Sequence, residues 1–134
     1  MSLENLKSAF VEIFNDAGLE LKDNFDGGDV VDPDYELIID FTALEQTCAA
    51  VEDYQITIDF KGQIFLSEDK NKIKIRELFS KTQKVLKSLK PKDIADKSKE
   101  QVVGWLFNSA GFDYDEDVNV FQITFDLYVC DFEF

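Results

Sequence analysis

Apolar residues recur along this chain in blocks, some with the period of a helix and some with the period of a strand. Leu3, Leu6, Phe10, Ile13, Phe14 and Ala17 fall at three- and four-residue spacing, with Ser2 placed as an N-cap and Gly18 as a stop. This predicts an amphipathic helix of about four turns. Asn24 to Asp34, rich in Asp and Gly and closed by Pro33, reads as loop. Tyr35 to Phe41 and Tyr54 to Phe60 read as strands. In the second, Tyr54, Ile56, Ile58 and Phe60 alternate with Gln55, Thr57 and Asp59, the pattern of a sheet wet on one face. Thr42 to Asp53 is too long for a tight turn, and Ala43 to Val51 is expected to form a short helix. Lys61-Gly62 permits a turn into Gln63 to Leu66, a short third strand or an extension of the second.

A second long helix is expected after Ser67, read as its N-cap, with Glu68 and Asp69 in the first turn where the dipole favours them. Ile75, Leu78, Phe79, Thr82, Val85, Leu86 and Leu89 share one face, and Lys70, Lys74, Arg76, Lys81, Lys84 and Lys87 take the rest of the circumference. Pro91 ends the helix, and Lys90 to Glu100 reads as a polar linker. Gln101 to Asn108 is a strand and Gly111 to Asn119 an acidic turn. Val120 to Phe132 is the clearest strand, with Phe121, Ile123, Phe125, Leu127 and Val129 on one side. The fold class is therefore α+β, a single domain over residues 1–134. A mostly antiparallel sheet of four to five strands packs against two main helices in the order α-β-β-(β)-α-β-β.

Charge changes the picture because it is sorted by position. Residues 70–99 hold eleven of the fourteen basic side chains and only three acids, while residues 100–134 carry eight acids and no base. The whole chain has a formal net charge of −14, so broad nucleic-acid binding is disfavoured by repulsion from phosphates. A hydrophobic fraction of 45% with thirteen Phe fits a folded core rather than disorder. No run approaches the ~20 apolar residues of a membrane span, and Met1 to Phe10 lacks an apolar export signal. Cys48 and Cys130 then read as reduced thiols of a cytoplasmic protein.

Candidate chemistry is thin. Asp113, Asp115 and Asp117 alternate as in a calcium loop, but the positions that need Gly and Glu hold Val118 and Thr124. A solvated turn is the expected reading, and no metal or other cofactor is expected, since the chain has no His to complete a zinc site. Glu52-Asp53, Glu68-Asp69 and Asp115-Glu116 are neighbours at element ends, where charge serves solvation. No His base or glycine-rich elbow accompanies Ser67, Ser80 or Cys130, so an enzyme is not expected. A lysine face is ordinarily just solvated. Here its scale, against an acidic remainder, points to docking between copies of the chain, with Lys74, Lys81, Lys84 and Lys87 meeting carboxylates of a neighbour. The last strand offers Asp126, Tyr128 and Asp131 to the same interface. Asp113, Asp115 and Asp117 form a candidate partner-contact loop.

The layout resembles the tail terminator, or tail completion, proteins that join tail to head in long-tailed bacteriophages and prophages. The matching parts are the Leu3–Ala17 helix, Tyr35-Glu-Leu-Ile-Ile-Asp-Phe41, Tyr54-Gln-Ile-Thr-Ile-Asp-Phe60 and the helix after Ser67. The closing Gly111-Phe-Asp-Tyr-Asp-Glu-Asp117 and Val120-Phe-Gln-Ile-Thr-Phe-Asp-Leu-Tyr-Val129 are the most alike. The likeness covers nearly the whole chain in order and pattern, without an invariant motif. The roughly dozen-residue loop between the first two strands and the Lys90–Glu100 stretch depart from it. The resemblance implies a non-enzymatic ring, typically a hexamer, that caps the tail tube. Its partners would be itself, tail-tube and head-connector proteins. It would be found in the bacterial host cytoplasm during assembly and then in the virion. The competing expectation is an acidic inhibitor, immunity or DNA-mimic protein presenting Asp23, Asp26, Asp29, Asp32, Asp34 and the 113–117 loop to a basic site. The lysine face speaks against it.

Overall fold

A computed structural model describes residues 2–23, 35–47, 53–65, 67 and 69–132. The Ser2 side chain, the loop expected over 24–34 and the end of the helix expected after Ala43 lie outside the described residues. Three helices and four strands follow in the order α1 (Ser2–Asp16), β1 (Glu36–Gln46), β2 (Tyr54–Phe65), α2 (Ile73–Ser88), α3 (Pro91–Ser98), β3 (Gln101–Tyr114) and β4 (Val118–Cys130). The strands form one antiparallel sheet in the order β1-β2-β4-β3. The fold is α+β, with the helices on one side of the sheet.

The core lies between these layers. Phe10 and Phe14 of α1 project onto Phe60 of β2, with ring centroids 5.5 and 5.4 Å away. Phe60 meets Phe125 of β4 edge to face at 6.0 Å. Ile56, Ile58, Phe60, Phe121, Ile123, Phe125, Leu127 and Val129 are all buried, so both central strands have the inward phase that their alternation predicts. Such aromatic pairs add directional contact to the area they remove from water.

Four local expectations are corrected. Residues 43–46 continue β1 and pair with β2 beyond a bulge at Phe41/Ala43, because cross-strand pairing outweighs the helix preference of Ala and Leu. The turn expected over Gly111 to Asn119 shrinks to residues 115–117, because β3 runs on to Tyr114 and β4 begins at Val118, while of the two readings open at Lys61-Gly62 the extension of β2 holds, to Phe65. The Lys90–Glu100 stretch holds the two-turn helix α3, started by Pro91 at its first turn, with the Asp93 carboxylate accepting from the Lys90 N–H at 3.0 Å. Ser67 does not cap α2. That helix starts six residues later, and the Asp69 carboxylate accepts from the N–H groups of Lys74 (2.8 Å) and Ile75 (3.0 Å).

The two sheet edges differ. Lys22 forms a parallel bridge to Ile38, so its backbone covers part of β1. β3 pairs with β4, and no other described strand pairs its outer edge. Its inner face is anchored by Trp105, stacked on Phe125 at 5.2 Å, and by Phe107, 5.9 Å from the same ring. Among the described residues no helix is long and apolar enough to cross a membrane.

Candidate interaction surfaces

Helix α2 packs over β2 and β4 and runs opposite in direction to β3, which it meets through side chains near both ends. At its start, the Asn119 amide donates to the Asp69 carbonyl (2.9 Å) and carboxylate (3.1 Å), tying the cap to β4. Phe79 packs against Phe112 at 4.8 Å, and the Lys72 ammonium sits 4.3 Å above the Tyr114 ring. At its far end, the Trp105 indole N–H donates to the Leu89 carbonyl at 2.9 Å. The β3–β4 hairpin tip therefore lies beside the first turn of α2, and the start of β3 beside its last.

The apolar stripe of α2 turns Ile75, Leu78 and Leu86 inward, which leaves Lys74, Lys81, Lys84 and Lys87 exposed. No described carboxylate lies within 4.0 Å of Lys81, Lys84 or Lys87. Lysines elsewhere do find partners. Lys97 of α3 reaches Glu12 (3.0 Å) and Asp16 (3.7 Å), and its pKa rises chiefly through the Glu12 hydrogen bond. Lys7 reaches Glu4 (2.7 Å) and Asp23 (3.2 Å) and is raised above its ordinary value, first by Glu4. Of the acidic run proposed for a mimic, Asp23 is thus already paired, and Asp26, Asp29, Asp32 and Asp34 lie outside the described residues.

Asp113, Asp115 and Asp117 are exposed around the hairpin tip. The turn is closed by the Asp115 N–H donating to Val118 O at 3.0 Å and by the Asp115 carboxylate accepting from the Glu116 N–H at 2.7 Å. Among the described residues no three His, Cys, Asp or Glu side chains gather as metal ligands would.

The residues expected from the last strand separate. Asp126 is no surface carboxylate: it is 6% exposed, and accepts from Thr57 Oγ1 (3.2 Å) and Asn108 Nδ2 (3.1 Å). Asn108 is the extra residue of a bulge in β3, which aims its amide across the strand. Asp59, 7% exposed, accepts likewise from Thr124 at 2.9 Å. Both carboxylates are spent on internal bonding between strands. Tyr128 is half-buried opposite Gly104. Asp131 is exposed at a φ of 51°, accepting from Gln101 Nε2 at 3.2 Å. Beside it the Cys130 thiol is pushed up by desolvation, then by Asp131 and Asp53.

Sequence reasoning overlooked the outer edge of β3. Val103 is 65% exposed and Leu106 58%, with Phe112 and Tyr114 also exposed. A signal was available: residues 101–112 form the longest charge-free run of a chain that is 31% charged. No protein-family model and no curated protein matches this chain.

Proposed function

We propose that the protein is a non-enzymatic, self-assembling structural subunit of the tail terminator type, whose copies form a ring capping a phage or prophage tail tube. One observation carries this reading. The exposed carboxylates of the hairpin tip lie at the start of α2, whereas Lys84 and Lys87 lie toward its end, and Ile73 to Lys87 spans about 21 Å of helix rise. A protomer's own tip is too far to neutralise those lysines, and a neighbour's tip is not. The donor and acceptor surfaces are different parts of the molecule, and repetition of such a contact closes a ring when the rotation fits. The order of elements supports the same family likeness.

Sedimentation across salt concentration tests this reading. Assemblies larger than a pair should shrink as salt rises, because exposed charge pairs are screened. Reversing Lys81→Glu together with Lys84→Glu should remove them while circular dichroism is unchanged. Assembly that survives the reversal would count against α2 as the contact.

A further inference from the structure

We infer that the hairpin-tip end of the molecule is a self-complementary surface, centred on Phe112 and Tyr114, through which two copies pair end to end about a two-fold axis. This goes beyond the ring and stands if the ring reading fails.

Helix α2 covers β2 and β4 but leaves the far part of β3 bare. Ala110, Phe112 and Tyr114 lie on the face of β3 turned toward the helices, since they pair with the buried Ile123, Phe121 and Asn119, yet all three are exposed. The rings of Phe112 and Tyr114 lie within 13° of parallel at 5.9 Å, and Phe112 keeps 40% of its surface in water and Tyr114 38%. Ile73, the first residue of α2, is exposed on the facing side of the seam. The platform is held from behind by Phe79 against Phe112 and by the Asn119 bonds to Asp69. Aromatic groups seated on a firm support in this way are the usual anchors of protein interfaces.

Charge chooses the occupant. On the helix side of the rings stand Lys70, Lys72, Lys74 and Arg76, with Glu77 the exposed acid among them and Asp69 buried as the cap. On the hairpin side stand Asp113, Asp115, Glu116 and Asp117, with no base. No ion pair among the described residues joins the two flanks. A partner of one sign would be drawn by one flank and repelled by the other. A second copy suits both, because a two-fold axis between the flanks sets the carboxylates of each copy against the bases of the other, twice. Contact at one end also holds the remainder of two chains of net charge −14 apart, where salt screens their repulsion. The hairpin tip serves this contact and the ring contact alike, so the pair is the form of the free protein and opens before a ring closes.

Sedimentation equilibrium of the wild type should give twice the 15.4 kDa chain mass. Tyr114→Ser, at a side chain already partly in solvent, should weaken the pair by at least about tenfold, the loss expected of an interface anchor. A second measurement tests the charge arrangement itself. Lys70→Glu with Arg76→Glu makes both flanks acidic, and Asp113→Lys with Asp117→Lys makes them basic. Each double variant alone should have a single-chain mass, and an equal mixture of the two should restore the pair, which a merely structural effect of the substitutions would not do. A single-chain mass for the wild type, a pair that survives Tyr114→Ser, or a mixture that stays single would overturn the inference. The Lys81→Glu, Lys84→Glu variant separates this contact from the ring: a pair retained there upholds the tip contact whether or not larger assemblies are lost, and a pair lost there moves the contact to the middle of α2 and overturns it.

Discussion

Phe121 of β4 lies over Gly62 of β2, its opposite number in the sheet, and its ring fills the space where any other residue would carry a Cβ. An added methyl would stand 2.6 Å from Phe121 Cζ and closer still to Cε2. Gly62 is required by this close approach. Gly62→Ala should therefore lower stability by about 1–3 kcal/mol, the usual cost of overpacking. Urea unfolding measures it, and a neutral result would mean that the ring moves aside freely.

Phe125 is wholly buried, and meets Phe10, Phe60, Trp105 and Phe107. Phe125→Ala should cost about 3–5 kcal/mol. A loss below about 1 kcal/mol in the same unfolding experiment would be too small for a full cavity at the centre of the sheet.

Asp69 caps α2 and holds Asn119, whose Oδ1 is buried without a described partner. Asp69→Ala removes the cap and strands the amide, so about 2–3 kcal/mol should be lost. In a double-mutant cycle with Asn119→Ala the two changes should be coupled by about 1 kcal/mol, whereas independent sites would simply add.

Cys130 gives a prediction in pH. Desolvation, with Asp131 and Asp53 nearby, disfavours the thiolate, so its folded-state pKa lies above the ordinary 9.0. A thiol raised in this way costs the folded state stability as pH climbs through the unfolded value, because only the unfolded chain ionises there. In a Cys48→Ser variant, alkylation of the native protein should have its midpoint above 9.0, and Asp131→Asn should bring it down. A midpoint at or below 9.0 would show that the thiol is not shielded.

How much of this was legible depended on whether a local pattern agreed with its neighbours. Helix α1 and the phase of β4 were plain, because each keeps one period and buries one face. Helix α3 was hidden by its brevity: only Ile94 and Ser98 are buried, and its start signal was the Pro91 and Asp93 pair. Residues 43–46 carry helix-forming side chains, yet the partner strand decides their state. Gly111 and Asp113 carry turn chemistry, yet pairing with β4 holds them in the strand as far as Tyr114. Lys74, Lys81, Lys84 and Lys87 are exposed on α2, whereas Lys70 precedes the helix. For Asp126, alternation assigns a side of the sheet and says nothing of the hydroxyl and amide waiting across the strands.

The backbone bridge that Lys22 makes to Ile38 has a bearing on how far sheet joining can go. With one margin stoppered by the chain's own approach and then lined by the ionic Asp40 and Glu45, extension has a single usable side. A strand arriving at β1 would have to displace Lys22 or lie against two carboxylates, so that margin resists the strand addition by which sheets stack into fibrils.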